Sequence, residues 1–453
     1  MMTEFRHYSQ KIQERLKSSN ISILDEICVK KGDKVYEGRL MDRYEGRSPD
    51  CLVIKLENGY NIGIKIDERT NITKIKGKNT KIGTSPSLEL KNDPTKKTIS
   101  ILATGGTIAS KIDYRTGGVI PAVEADEIIT AVPELTSIAN IEGRALIQMF
   151  SEDISPAHYT YFAEEIQKEI DKGADGIVLT HGTDTLHYTS AALSFMLQDL
   201  PIPVVVVGAQ RSSDRASSDA ALNLIHAVKV ACSDIAEVTV VMHASASDTY
   251  SYVHRGTRVR KIHTTRRDAF RSINARPIAK VDETITILTK EYKKRDKNRK
   301  LRLLSEIDEK VAFIKIVPGI SPSVFEYVLK EGYRGVIIEG TGLGHAPINS
   351  VDSYTKQNEE IYAFIKKMCE NNVIVCMTSQ CIFGTVNMNV YATGRDLKKI
   401  GVIECVDMLP EVAYIKLMWA LSNFKDLKKG KEIMTENIAK EMSSKRAINE
   451  ELD

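Results

Sequence analysis

The chain changes character at residues 98–109, which read TISILATGGTIA. An uninterrupted aliphatic run is typical of a strand buried on both faces of a parallel sheet, and this one leads into a Gly-Gly pair and a hydroxyl. Ligands bind at the carboxyl ends of parallel strands, where glycines let backbone amides approach a bound group. Thr107 is therefore a candidate nucleophile. The segment lacks the lysine of a P-loop and the G-x-G-x-x-G spacing, which disfavours nucleotide binding; a plain tight turn is the simpler interpretation.

Similar aliphatic runs recur downstream and alternate with helical patterns. Strands are predicted at Ser100–Ala103, Gly176–Leu179, Val204–Val207 and Val238–Met242, with helices at Tyr159–Ile170, His187–Leu197 and Ala216–Ala231. This alternation predicts an α/β body with a parallel sheet. Further strands are predicted at Val311–Ile316, Gly335–Ile338 and Val373–Met377, after the charged stretch KEYKKRDKNRKLR at 290–302. We therefore expect two lobes, residues 98–289 and 306–424, joined by a linker at 290–305.

The residues before Thr98 predict a separate small domain. Phe5 to Leu16 has the periodicity of an amphipathic helix, and β patterns follow at Val35–Leu40, Cys51–Leu56 and Tyr60–Ile66. The last two flank Asn58-Gly59, a pair that favours a type I′ hairpin turn. We expect a β-barrel-like domain over residues 1–75 and a hydrophilic linker over 76–97, with a polar tail over 425–453 at the other end of the chain.

A second polar motif follows the strand predicted at 176–179. Residues 179–186 read LTHGTDTL, so Thr183 and Asp184 would lie at the N-terminus of the next helix. Backbone amides and the helix dipole favour an anion or a developing oxyanion at such a position. Helix capping is the simpler interpretation, because Thr and Asp are ordinary N-cap residues.

Two further motifs contribute candidates. Residues 208–214 read GAQRSSD and follow the strand predicted at 204–207, and residues 258–265 read RVRKIHTT. The second motif places Lys261 among several cations. Crowding by like charges lowers a lysine pKa and makes the amine a usable base. A solvated basic loop is the alternative.

In this order, the four motifs resemble those of the asparaginase-glutaminase amidohydrolase family, over about residues 100–424. The resemblance implies that Thr107 is the first catalytic threonine and that Tyr114, in the loop that follows, assists it. It also implies that Thr183 is the second catalytic threonine, with Asp184 and Lys261 as its companions.

The same resemblance assigns the substrate contacts and a reaction. Ser151 and Glu152 match the loop that holds the α-amino-acid end of the substrate, although free-standing members commonly have glutamine where Glu152 stands. We expect Thr107 to attack a side-chain carboxamide and form an acyl ester, with Thr183 and Lys261 relaying protons. Asp184 would position the relay and pair with the substrate's α-ammonium group. Which threonine attacks in each half-reaction stays open.

Two features narrow the resemblance to the glutaminase subunits of archaeal-type glutamyl-tRNA(Gln) amidotransferases: the extension before Thr98 and the segment DMLPEVAYIKLMWA at 407–420. This implies L-glutamine as substrate and a homodimer within a heterotetramer. It also implies a GatE-type partner that binds tRNA(Gln), uses ATP and Mg²⁺, and receives the ammonia.

The resemblance implies that this chain itself binds no cofactor. We expect no ATP or metal site here, because the sequence has no P-loop and no His, Cys and carboxylate cluster at metal-ligand spacing. The arginines around Lys261 exceed what an amidase needs, and they predict a subunit interface, an ammonia exit or a solvated face. They are Arg255, Arg258, Arg260, Arg266, Arg267, Arg271 and Arg276.

Composition and charge restrict the classes of protein to which the chain can belong. The 453 residues are 42% hydrophobic and 27% charged, which predicts a soluble chain of two to four compact units. Its 63 Lys and Arg against 60 Asp and Glu are too balanced for wholesale nucleic-acid binding, so tRNA would be held mainly by the partner. Seven cysteines without a C-x-x-C pair, and an N-terminus (MMTEFRHYSQ) without an apolar run, predict a cytoplasmic protein that is neither secreted nor membrane-inserted.

Two alternatives compete with an ammonia-supplying subunit. A free-standing cytoplasmic L-asparaginase would account for the body but would leave the N-terminal extension without a role. A non-catalytic tRNA-binding scaffold would retain only the fold. All five candidate catalytic residues are present, which argues against a scaffold. They are Thr107, Tyr114, Thr183, Asp184 and Lys261.

Overall fold

The computed structural model describes residues 5, 8–23, 25–41, 48–55, 61–75, 93–105, 110–113, 118–121, 132–211 and 218–443. Thr107, Tyr114 and the Asn58-Gly59 pair lie outside the described residues. Predictions about them stay predictions.

The N-terminal unit is an antiparallel sheet packed against a helix. Its elements are α1 (Gln10–Ser18), β1 (Glu26–Lys31), β2 (Lys34–Leu40), β3 (Cys51–Lys55), β4 (Asn61–Lys65) and β5 (Thr70–Lys74), with the strand order β4-β3-β2-β1-β5. Alternation along β1 turns Ile27 and Val29 inward, where they share a core with Ile12 and Leu16 of α1. β3 and β4 pair antiparallel, as the hairpin pattern predicts.

An eight-stranded mixed sheet forms the first lobe. Its strands are β6 (Thr98–Gly105), β9 (Asn140–Met149), β10 (Gly176–Thr180), β12 (Val204–Val207), β13 (Val238–His243), β14 (Ser251–Arg255), β17 (Ala279–Val281) and β18 (Ile285–Ile287). The order is β18-β17-β14-β13-β12-β10-β6-β9. The five strands from β13 to β9 run parallel; four of them were predicted, and β9 was not. β14, β17 and β18 add an antiparallel extension.

Helices and small hairpins complete this lobe. The helices are α2 (Leu135–Ile138), a 3₁₀ turn (Ser151–Asp153), α3 (Pro156–Asp171), α4 (Leu186–Met196) and α5 (Ala220–Ala231). The two-stranded sheets are β7 (Ser110–Asp113) with β8 (Gly118–Pro121), β11 (Leu197–Gln198) with β19 (Arg302–Leu303), and β15 (Val259–Lys261) with β16 (Phe270–Ser272). The three helices predicted from the aliphatic periodicity are confirmed as α3, α4 and α5.

The second lobe is a smaller α/β unit. It contains β20 (Val311–Lys315), α6 (Ser323–Lys330), β21 (Gly335–Gly340), α7 (Gln357–Glu370), β22 (Ile374–Ser379), α8 (Ala392–Lys399), β23 (Ile403–Glu404), α9 (Pro410–Asn423) and α10 (Leu427–Thr435). Its four strands are parallel in the order β20-β21-β22-β23. The strands predicted at 311–316, 335–338 and 373–377 are confirmed as β20, β21 and β22.

The two lobes share one hydrophobic core. The rings of Phe195 on α4 and Trp419 on α9 stack with their centroids 5.6 Å apart, and both side chains are buried. Trp419 Nε1 donates a 2.9 Å hydrogen bond to the carbonyl of Leu304, in the segment that joins the lobes. Arg295 of the same segment donates to the carbonyls of Ala231 and Ser233. The joining segment therefore packs along the first lobe.

The C-terminal segment differs from the predicted polar tail. α10 buries Ile433 and Met434, and the chain beyond it buries Glu441 and Met442. Lysines and glutamates are frequent after residue 425, so the composition does not reveal the two buried apolar positions in α10. The segment is part of the folded body through Ser443, the last described residue.

Among the described residues, no helix is long and apolar enough to cross a membrane.

Candidate active site

Three neighbouring parallel strands carry the predicted motifs to one edge of the sheet. β12, β10 and β6 lie side by side and end at Val207, Thr180 and Gly105. The hydroxyl of Thr104 donates a 2.9 Å hydrogen bond to the carbonyl of Thr180, which ties two of these strand ends together. The ends of these strands therefore lie together at the edge where ligands bind in parallel sheets.

Gly105 is required where β6 ends. Its φ is +107°, and a Cβ there would lie 2.3 Å from the carbonyl oxygen of Met149 on β9. A side chain would thus separate β6 from β9, just before the predicted nucleophile, Thr107, two positions further along the chain.

Lys261 joins the predicted threonine and aspartate. Its Nζ donates to Thr183 Oγ1 at 2.9 Å and to Asp184 Oδ1 at 2.7 Å. Thr183 is buried and the Lys261 side chain is 11% exposed, whereas the Asp184 side chain is 66% exposed. The lysine and hydroxyl are thus shielded from bulk water, and the carboxylate can meet a ligand from solution.

This geometry decides between the two interpretations of the threonine and aspartate. The N-cap of α4 is Thr185, and its side chain does not cap the helix. Asp184 bonds to Lys261 rather than to a helix amide. The motif therefore assembles a polar site beside the helix, and capping does not explain it.

The Thr185 hydroxyl holds the neighbouring loop. It donates a 2.6 Å hydrogen bond to the carbonyl of Ser151, in the 3₁₀ turn that carries Glu152. A Cβ on Gly182 would lie 2.8 Å from Ser151 Cβ, so the two segments touch. Ser151 is buried and Glu152 is exposed. The structure brings Ser151 against the Thr183 loop, and it leaves Glu152 on the open side of the same turn.

His181 stabilises the loop that carries Thr183, and its imidazole is neutral. Complete burial lowers the pKa of His181 to about 4. Its Nδ1 lies 2.7 Å from the Gly182 carbonyl and must carry the proton, so Nε2, 2.8 Å from the Thr189 hydroxyl, accepts from it. The neutral imidazole stabilises the loop through these hydrogen bonds and is not an imidazolium acid at neutral pH.

The strand of Lys261 belongs to a hairpin fixed by an acidic residue. Asp268, in the connection between β15 and β16, accepts from Arg266 at 2.8 Å and from Arg271 at 2.9 Å. Hydrogen bonding to the two guanidinium groups holds the pKa of Asp268 well below its usual range, against the opposing effect of burial. The carboxylate is ionised whenever the protein is folded at neutral pH.

Most of the surplus arginines pair with carboxylates of this chain. The pairs are Arg255 with Glu237, Arg258 with Asp407, Arg260 with Glu411, Arg266 and Arg271 with Asp268, and Arg267 with Asp248. These intramolecular pairs stabilise the fold around Lys261, while the predicted subunit interface, ammonia exit and solvated face stay predictions.

Glu411 is an under-satisfied group close to this site. It lies in the first turn of α9 and is 1% exposed, with Arg260 Nε 3.5 Å and His187 Nε2 3.9 Å from its Oε1. Burial raises the pKa of Glu411 and lowers that of His187 to about 3, so the histidine is neutral. No described group donates a hydrogen bond to Glu411 Oε1.

Sequence reasoning missed the groups that support these loops. Asp219 accepts from the backbone amides of Gln210 and Arg211 at 3.0 and 2.9 Å, and Asn223 donates to the Gly208 carbonyl. The spacing of Asp219 and Asn223 on one face of α5, four residues apart, was the available signal. Among the described residues, no three His, Cys, Asp or Glu side chains form a group that could hold a metal ion.

Comparison with known proteins identifies what the chain resembles. Family models match at residues 21–75 (GatD N-terminal domain), 98–293 (Asparaginase, N-terminal) and 310–434 (Glutaminase/Asparaginase C-terminal domain). The GatD subunit of the glutamyl-tRNA(Gln) amidotransferase of Pyrococcus furiosus is 50% identical over 439 residues, covering 96% of this chain and 98% of that protein. Its counterpart in Methanothermobacter thermautotrophicus is 49% identical over 442 residues, covering 97% and 98%.

Solved asparaginases share the fold of the body. The thermostable L-asparaginase from Thermococcus kodakarensis aligns with a TM-score of 0.66 and 33% identity, over 77% of this chain and all of that one. L-asparaginase I from Vibrio cholerae aligns with a TM-score of 0.67 and 32% identity, over 77% and 99%. The resemblance to the asparaginase family is therefore confirmed.

Proposed function

The chain belongs to the family of GatD subunits of glutamyl-tRNA(Gln) amidotransferases, and on that premise we propose that it hydrolyses L-glutamine and supplies the ammonia to a GatE-type partner. The observation that carries the proposal is the placement of Lys261 Nζ between Thr183 Oγ1 and Asp184 Oδ1, at 2.9 and 2.7 Å. An amidase needs a shielded proton relay of this kind, since a hydroxyl is too weak an acid to attack unaided.

The proposed first half-reaction is acyl transfer to threonine. The Thr107 oxygen bonds to the side-chain carbonyl carbon of glutamine as its proton leaves for the relay, and Tyr114 assists. The tetrahedral intermediate then expels the amide nitrogen, which takes a proton and departs as ammonia. The product is a γ-glutamyl ester on Thr107.

In the second half-reaction, water replaces the threonine. Lys261 and Thr183 accept a proton from the attacking water, the ester bond breaks, and the Thr107 oxygen recovers its proton. Glutamate is released. The exposed carboxylate of Asp184 and the Ser151–Glu152 turn are proposed to hold the substrate's α-amino-acid end. The exposure of Asp184 and Glu152 to solvent supports this role.

Ammonia transfer completes the proposal. The partner binds tRNA(Gln), uses ATP and Mg²⁺ to activate the glutamyl ester, and receives ammonia from this chain. The assembly is a heterotetramer built on a homodimer of this chain, in the cytoplasm. The N-terminal unit at residues 21–75 favours this assembly over a free-standing asparaginase, because the aligned asparaginases account for 77% of the chain.

Ammonia release tests the proposal. The purified chain is assayed with glutamine and with asparagine, alone and with the partner and glutamyl-tRNA(Gln). We expect a preference for glutamine and stimulation by the partner and charged tRNA together. Strong asparagine hydrolysis that ignores the partner would favour the free-standing asparaginase, and an inert chain in the full mixture would favour the scaffold.

A further inference from the structure

Lys261 lies on a strand that needs external support. β15 has three residues, and within the described ranges it pairs with β16 alone, in a two-stranded sheet separate from the eight-stranded one. An isolated pair of short strands is marginally stable by itself. The position of Lys261 Nζ, within hydrogen-bond distance of Thr183, therefore depends on contacts that the hairpin makes with the rest of the chain, among them the burial of Val259 and Phe270 in the core.

Arg258 provides such a contact, three positions before Lys261. It is 2% exposed, and its guanidinium group hydrogen-bonds to two other parts of the chain. NH1 donates to Asp407 Oδ2 at 3.0 Å, Nε to the Lys440 carbonyl at 2.9 Å, and NH2 to Ser443 Oγ at 3.1 Å. One buried side chain thus connects β15, the loop before α9 and the C-terminal segment.

Residues 436–443, which we call the C-terminal clasp, are themselves fixed by a buried ion pair. Lys416 Nζ lies 2.5 Å from Glu441 Oε1, and both side chains are fully buried. The Glu441 carboxylate also accepts from the backbone amides of Ile438 and Ala439, so it is well hydrogen-bonded. A buried pair satisfied in this way favours one arrangement of the clasp.

The clasp holds the hairpin at a second point. The hydroxyl of Thr257 donates to the Ala439 carbonyl at 2.9 Å, and the amide of Ser443 donates to Asp407 Oδ1 at 2.9 Å. Thr257 and Arg258 directly precede β15, so the hydrogen bonds of two side chains fix the backbone where the strand begins.

We propose that Arg258, held by Asp407 and the C-terminal clasp, is a positioning residue that keeps Lys261 in register with Thr183. This inference rests on the proposed function, since it assumes that Lys261 relays protons there. Arg258 touches neither substrate nor reacting atoms. Its effect is geometric: releasing it lets β15 shift, and a displacement of about 1 Å at a reacting group costs up to about 100-fold in rate.

Two variants test the inference with a matched control. Arg258→Lys keeps the charge but loses the planar guanidinium group, whose three nitrogens reach three separate acceptors, and Asp407→Asn removes one charge at nearly constant shape. Arg295→Lys is the control. Arg295 is half-buried, and it donates to the carbonyls of Ser233 and Ala231 at the C-terminal end of α5.

The variants are made in the full chain, with the partner present, and assayed for glutamine hydrolysis, thermal unfolding and crystal structure. We expect kcat to fall about 10- to 100-fold in both Arg258→Lys and Asp407→Asn, with KM within about threefold of wild type. Arg295→Lys should lower the midpoint of unfolding and leave kcat within about twofold. Kinetics unchanged in Asp407→Asn, or an equal loss of kcat in Arg295→Lys, would overturn the inference.

The crystal structures separate this inference from the proposed function. In Asp407→Asn we expect Lys261 Nζ to lie beyond hydrogen-bond distance of Thr183 Oγ1. An unchanged distance overturns the positioning role even if the wild type proves inactive on glutamine. An inactive wild type with a displaced lysine in the variant would instead contradict only the proposed function.

Discussion

Lys261 Nζ donates a 2.9 Å hydrogen bond to Thr183 Oγ1, although 78 positions separate the two residues. Both side chains are shielded, with Thr183 8% and the Lys261 side chain 11% exposed. The proposed proton relay requires this proximity of amine and hydroxyl, and the lysine also donates to Asp184 at 2.7 Å. The relationship explains why residues from two distant motifs form one site.

Lys261→Met should abolish turnover while leaving the protein folded. The variant keeps the length of the side chain but loses the amine, so we expect kcat to fall about 10³-fold or more. Ammonia release measures it. The control is Lys280→Met, which removes an exposed lysine paired with Asp282 and should leave kcat within about twofold. A Lys261→Met variant that keeps kcat but loses substrate affinity would make Lys261 a binding cation instead.

Thr185→Val should weaken substrate binding more than chemistry. Its hydroxyl donates to the Ser151 carbonyl, and the lost hydrogen bond, about 1 kcal/mol, frees the turn proposed to hold the substrate. We expect KM to rise about 5- to 10-fold and kcat to change less than about threefold. Thr160→Val is the matched control, because that hydroxyl also donates to a serine carbonyl, that of Ser305. Equal effects of the two variants on KM would contradict the assignment.

Asp268→Asn should destabilise the protein at neutral pH, and the deficit should shrink in acid. The folded pKa of Asp268 lies below its ordinary value of 3.8, so its contribution is present above about pH 4 and is lost as pH falls through the folded pKa. Since Arg266 is 56% exposed, we expect a modest loss of about 1–3 kcal/mol in the free energy of unfolding at pH 7. Urea unfolding at pH 7 and pH 3.5 checks it; a deficit that grows in acid would contradict the account.

Glu411→Gln should gain stability relative to wild type as pH rises. Burial raises the pKa of Glu411 above its ordinary value of 4.5, so the folded protein binds this proton more tightly than the unfolded chain. The wild-type contribution is therefore full below about pH 4.5 and is lost as pH rises through the folded pKa. Unfolding of both proteins at pH 4.5, 6 and 8 tests the sign. If the pairing with Arg260 outweighs burial, the variant will instead lose stability as pH rises.

Much of the body could be predicted because its signals are local. Val204–Val207 is a pure aliphatic run and forms β12, and Gly176–Leu179 predicts all but the last residue of β10. β9 and β14 escaped prediction because polar residues interrupt them, as in SYVHR of β14, and β17 and β18 because they have only three residues each. The place of β14, β17 and β18 in the sheet is set by pairing with β13 and with one another rather than by composition.

Part of the candidate site could likewise be predicted from the sequence, and part could not. The motifs predicted Thr183, Asp184 and Lys261 as site residues. The distance between the lysine and the threonine depends on the tertiary structure, so the sequence could not predict it. The contacts of Arg258 with Asp407 and Ser443 span 149 and 185 positions, and nothing local in a lysine-rich C-terminal segment predicts them. Thr107 and Tyr114 lie outside the described residues and stay predictions from the motifs.

Nitrogen tracing tests the central claim most directly. The chain and its partner are given glutamine labelled with ¹⁵N in the side-chain amide, ATP, Mg²⁺ and glutamyl-tRNA(Gln), together with excess unlabelled ammonium. The amide nitrogen of the glutaminyl-tRNA product is then measured by mass spectrometry. The account predicts that it carries the ¹⁵N label from glutamine, and that Lys261→Met abolishes the labelling. A product amide with only the isotopic composition of the bulk ammonium would contradict it.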